Sequence, residues 1–112
     1  MELYEIKNGL DKAHLLIDEY RKSAQIDEKL REIEGLSYQT MQDGFWDDPT
    51  KAKKIYDELN DMKKITDEYE SLCQSLNSLD ETYTLVKETD DQEFQTIFLL
   101  FSFSHLLRSH SH

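Results

Sequence analysis

Carboxylates close together in sequence recur along this chain of 112 residues, among them Asp47 and Asp48, Asp57 and Glu58, Glu68 and Glu70, and Asp90 and Asp91. Paired acids run general acid–base chemistry when burial drives their pKa values apart. These pairs fall in turns or on polar helix faces, so the residues support a solvated surface instead. His14 stands beside Leu15 and reads as a rim or surface residue. His105, His110 and His112 have no Cys or acid at ligand spacing, so no metal or cofactor site follows, and the spacing of a calcium loop is absent. No Gly-rich phosphate loop occurs, and no His lies near a plausible nucleophile. The single cysteine, Cys73, sits among Leu72, Leu76 and Leu79 and reads as a buried thiol that cannot form an internal disulfide. Read from its residues, the chain is not an enzyme but a helical interaction domain.

The charge balance narrows the partners. There are 24 acids against 13 bases, a formal net charge of −11. Phosphate binding is carried largely by Lys and Arg, so DNA and bare RNA are poor partners. An anionic membrane surface is disfavoured for the same reason. A basic protein surface is the complementary partner. Met1 is followed by Glu2 and Glu5 rather than by a basic region and an apolar run, so a reducing, cytoplasmic setting is expected.

With three Gly and one Pro, the composition predicts an all-α fold: a small antiparallel helical bundle with two shorter helices packed on one long helix, and a fourth helix at the C-terminus. Leu3, Ile6, Leu10, Ala13, Ile17, Tyr20 and Ala24 alternate three and four residues apart, which predicts an amphipathic helix over residues 2–22. Asp27 is the expected N-cap of a second helix to about residue 41, with Leu30, Ile33, Leu36 and Thr40 inward. From Pro49 to about Glu88 neither Gly nor a second Pro interrupts the chain. There Ile55, Leu59, Met62, Ile65, Tyr69, Leu72, Leu76, Leu79, Tyr83 and Val86 form one stripe, on a helix about 60 Å long at about 1.5 Å per residue. Two short helices cannot cover all of it, so the part beyond Ser71 needs another partner. Asp90 as cap with Glu93 three residues later starts a fourth helix, with Phe94, Ile97, Phe98 and Phe101 as its inner face.

The stretch DGFWDDPTKAKK, residues 43–54, holds the only Trp and the only Pro. Asp43 and Gly44 end the second helix. Asp48 before Pro49 is a helix start, a capping carboxylate followed by Pro at the first helical position. Phe45 and Trp46 lie just before that cap, where they can fold down as a hydrophobic staple. Phe45, Trp46, Asp48 and Pro49 thus form a structural corner. Exposed aromatic contact with a partner is the alternative for the two rings.

The last segment differs from the rest. All 24 acids lie at or before Glu93. The apolar run Ile97 to Leu107 is about 11 residues, short of the roughly 20 that span a bilayer. Residues 1–95 are therefore expected to form the domain, with 96–112 an unrelated tail of frame-shifted or appended sequence. Deleting residues 96–112 is expected to leave melting nearly unchanged.

From Ile26, IDEKLREIEGLSYQTMQDGFWDDPTKAKKIYDELN and the LVKETDDQEF segment after it resemble the N-terminal domain of bacterial class I peptide chain release factors, of the release factor 2 kind. The shared features are Asp27 opening the second helix, the Phe45-Trp46-Asp47-Asp48-Pro49 turn with Ala52 three residues on, and Glu58-Leu59 in the long helix. MELYEIKNGLDKAHLLIDEYRKS resembles the family's opening helix, so the likeness runs over about residues 1–95. It implies a part of a factor that ends translation at UAA and UGA codons. The implied partners are the ribosome, at the GTPase-associated centre and stalk base of the large subunit, and the class II release-factor GTPase. The family's codon-reading Ser-Pro-Phe and its Gly-Gly-Gln loop for peptidyl-tRNA hydrolysis do not occur here, so no catalytic role transfers to any residue. After Gln95 relatives continue with a charged amphipathic helix, which this chain lacks. A second reading is a free-standing acidic coiled coil, a homodimer through the stripe from Tyr69 to Val86. The two readings coexist if a truncated fragment dimerises through a surface that missing helices normally cover.

Overall fold

A computed structural model describes residues 2–89 and 92–110. Every regular element among them is helical: α1 (Leu3–Ser23), α2 (Ile26–Thr40), a short 3₁₀ turn (Phe45–Asp47), α3 (Pro49–Lys87) and α4 (Gln92–His110). The all-α class and the long helix follow the expectation. The chain divides into two compact units, Met1–Ile17 with Leu72–His112, and Asp18–Ser71.

In the first unit the core is Ile6 and Leu10 of α1, Leu76 and Val86 of α3, and Leu99 of α4. Leu3, Ala13, Ile17, Leu79 and Tyr83 pack around it, partly buried. Burying such aliphatic side chains contributes about 1.5–3 kcal/mol each, so this unit is held mainly by that cluster. From Leu76 to Val86 the α3 stripe thus packs within the chain, against α1 and α4.

Several expectations change here. Leu72 is exposed, and Cys73 is only half-buried rather than a core thiol. Ile97 and Phe101, expected inward, are 60% and 75% exposed. Leu99 takes the inward position instead, so the segment expected to stand apart contributes to the core. A helix apolar on all sides has no stripe to set its rotation, and here the neighbours set it. The expected cap Asp90 lies outside the described residues, and the side chains of Phe94 and Phe98 lie outside the described ones. No described helix is long and apolar enough to cross a membrane.

The second unit buries Ile26, Ala52, Leu59 and Thr66. The last three are seven residues apart on α3, almost two full turns, and so share a face. Ala52 and Thr66 lie outside the apolar stripe read from the sequence. The Thr66 hydroxyl donates to the Lys63 carbonyl at 3.2 Å, which satisfies a polar group that burial would otherwise penalise. Tyr20 and Tyr69 stack with centroids 6.2 Å apart.

Asp27 is not the cap of α2. Gln25 holds that position in a left-handed conformation (φ 53°, ψ 48°) and makes no side-chain cap. The two-residue turn brings the first turn of α2 back toward the end of α1. Asp27 there accepts two hydrogen bonds from the Arg21 guanidinium, at 3.2 Å from Nε and 2.9 Å from Nη2. This fork holds the Asp27 carboxyl below its ordinary range, chiefly through the hydrogen bond. The Lys29 ammonium donates to the Ala24 carbonyl in the same turn.

Candidate docking site

The corner between α2 and α3 is built by local chain chemistry. The Met41 N–H donates to the Tyr38 carbonyl and the Gln42 N–H to that of Gln39, both at 3.1 Å, closing the last turn of α2. Gly44 then reverses the chain at φ 81°, which a side chain would oppose; a Cβ there would also lie 3.2 Å from the Asp47 carboxylate. The Phe45 N–H bonds the Gln42 carbonyl and the Asp47 N–H bonds the Gly44 carbonyl, forming the 3₁₀ turn. Asp48 is extended (φ −112°, ψ 95°). Its Oδ1 accepts the Lys51 N–H at 3.1 Å and its carbonyl accepts the Ala52 N–H at 2.9 Å. A cap has that geometry, and Pro49 follows where a missing N–H costs nothing.

The rings do not form a buried staple. Trp46 is 61% exposed and Tyr56 is 45% exposed, while Phe45 is partly buried. The Phe45 ring meets the indole edge-on with centroids 4.9 Å apart, and the indole lies 6.0 Å from Tyr56, tilted by 48°. The indole therefore folds onto α3, as a staple would, but reaches Tyr56 and stays in solvent. The reason is that Ile55 and Leu59 turn inward on α3, so the ring one residue past Ile55 lies to the side of the core face. Tyr56 is absent from the sequence-derived site, although its place just off the stripe is the signal that marks it.

Acids border these rings. Asp43, Asp47 and Asp48 are exposed, and among the described residues Asp43 and Asp47 make no ion pair. A cleft of about 440 Å³ opens beside them, its lining including Asp43, Phe45, Asp47, Asp48, Lys51 and Ile55. Farther along α3, Asp57 accepts from Lys53 at 2.7 Å, which raises the Lys53 pKa.

The other chemistry-bearing residues do not assemble. His14 Nε2 lies 2.7 Å from Asp80 Oδ2, half-exposed, as a link between α1 and α3 in the first unit. Asp57, Glu58, Glu68 and Glu70 are exposed, and Asp90 and Asp91 lie outside the described residues. His105 is exposed, while the side chains of His110 and His112 lie outside the described ones. Among the described residues no group of three or more His, Cys, Asp or Glu side chains is placed to hold a metal ion. What the corner offers is an aromatic surface bordered by carboxylates.

The chain matches the family model of the PCRF domain over residues 11–101. It is 34% identical over 95 residues to peptide chain release factor 2 of an Exiguobacterium species, covering 85% of this chain and 26% of that protein. The same protein of Staphylococcus aureus is 33% identical over 95 residues, again 85% of this chain and 26% of that one. That of Lactiplantibacillus plantarum is 31% identical over 98 residues, 88% of this chain and 26% of that one. The chain thus spans about a quarter of the length of these relatives. No solved structure matches it significantly. A match over most of its length, on an all-helical chain, shows that it belongs to the PCRF domain family and is similar to the N-terminal region of bacterial peptide chain release factor 2.

Proposed function

We propose that this chain is the ribosome-docking domain of a peptide chain release factor and acts in translation termination at UAA and UGA codons. It contributes attachment rather than chemistry. Its dock is the GTPase-associated centre at the stalk base of the large subunit, in the cytoplasm, with the class II release-factor GTPase as a second partner. The observation that carries this reading is the PCRF match over residues 11–101 together with relatives that bear the release factor 2 name. The net charge of −11 adds that the docking partner is a basic protein surface rather than bare RNA.

The test is competition. The 112-residue chain, added in excess to ribosomes programmed with UGA in the A site, is expected to slow peptide release by intact release factor 2. It should also sediment with isolated large subunits and be released by salt. Unchanged release at saturating chain, with no sedimentation above a scrambled acidic control, overturns the reading.

A further inference from the structure

We propose that the corner formed by Phe45, Trp46 and Tyr56, with Asp43 and Asp47 beside it, is the surface that grips a basic, arginine-bearing protein segment. This rests on the docking reading above and names the site and chemistry of the contact. Three observations converge. Trp46 carries a large apolar ring, yet it is 61% exposed and held in place by two other rings. Ordered aromatic rings, with few rotamers to lose, are the side chains that supply most interface energy, and they pair with Arg. Their neighbours Asp43 and Asp47 make no ion pair among the described residues, and with Asp48 they line a cleft beside Phe45 that also holds Lys51, three carboxylates to one ammonium.

One side chain answers both features. A guanidinium stacks flat on an indole face by cation–π attraction and donates in a fork to a carboxylate. An ammonium does the second without the planar first. Nucleic acid fits poorly, because its bases would suit the rings but its phosphates would meet the carboxylates.

The chain has one Trp, so its fluorescence reports the corner alone. The full chain is titrated with octa-arginine, octa-lysine and a uridine oligonucleotide at low salt. Octa-arginine is expected to change Trp46 emission and to bind about two- to fivefold more tightly than octa-lysine, the span of an exposed cation–π contact. The double variant Asp43→Asn/Asp47→Asn keeps the indole and should weaken octa-arginine by about threefold or more. Glu81→Gln/Glu88→Gln removes equal charge from the other unit and should leave it unchanged, and circular dichroism checks that both variants retain their helices. Equal binding of the two peptides, equal loss in the two double variants, or emission changes with the oligonucleotide alone would each overturn the proposal. Sedimentation with large subunits separates the two readings. If the wild-type chain and Trp46→Ala sediment alike, the corner is not the contact and docking stands. If the wild-type chain fails to sediment while octa-arginine still selects the corner, docking falls and the arginine-binding surface stands.

Discussion

Leu99→Ala tests whether α4 belongs to the core of the first unit. Leu99 is 9% exposed and packs in the cluster of Ile6, Leu10, Leu76 and Val86. Truncation to Ala removes three carbons, worth about 0.8 kcal/mol each in transfer free energy, or about 2.4 kcal/mol. A cavity in a cluster of five side chains, on a single helix that can settle inward, adds little more. The expected loss is about 2–3 kcal/mol, at the low end for Leu→Ala. For a domain of this size that corresponds to a melting temperature lower by about 8–12 °C, at about 4 °C per kcal/mol. Phe101→Ala is the matched control: the ring is larger but 75% exposed, so about 0.5 kcal/mol or less is expected. Urea and thermal unfolding followed by far-ultraviolet circular dichroism measure both. Trp46 fluorescence follows the second unit separately. If the two variants lie within about 0.5 kcal/mol of each other, α4 contributes no specific packing, and residues 96–112 are the dispensable tail expected from composition.

Trp46→Ala should cost about 1 kcal/mol or less, the worth of its contacts with Phe45 and Tyr56, rather than the 3–5 kcal/mol of a buried indole; denaturant titration by circular dichroism decides. Asp48→Ala should cost about 1 kcal/mol through loss of the bond from the Lys51 N–H, with Asp48→Asn close to wild type because an amide oxygen accepts equally well. Asp27, held low by Arg21, contributes stability that is fully present above its ordinary value of 3.8 and is lost as pH falls through that value toward the folded one. The gap in urea midpoint between wild type and Asp27→Asn should therefore be constant above about pH 5 and close on acidification, and a gap that widens toward acid would refute the Arg21 pairing.

Much of this protein was legible in its order of residues because the relevant forces are local. A three- and four-residue apolar rhythm, the absence of Gly and further Pro across Pro49–Lys87, and an Asp-Pro start specify helices through backbone hydrogen bonds and caps that reach no farther than a turn. The break at Gly44 and the helix start at Asp48 and Pro49 are local signals of that kind, and the likeness to release factors was legible in the same order of residues. What the rhythm could not decide was which apolar residues find a neighbour. Trp46 and Leu72 are as hydrophobic as Ile26 and Leu99, yet the first two face water and the last two are buried. Asp27 could cap a helix, but a left-handed Gln25 moved the start of α2 and put Arg21 within its reach. Burial depends on side chains far away in the sequence. Ile6, Leu76 and Leu99 meet only once three helices are assembled, and that assembly decided the core and left one indole in solvent.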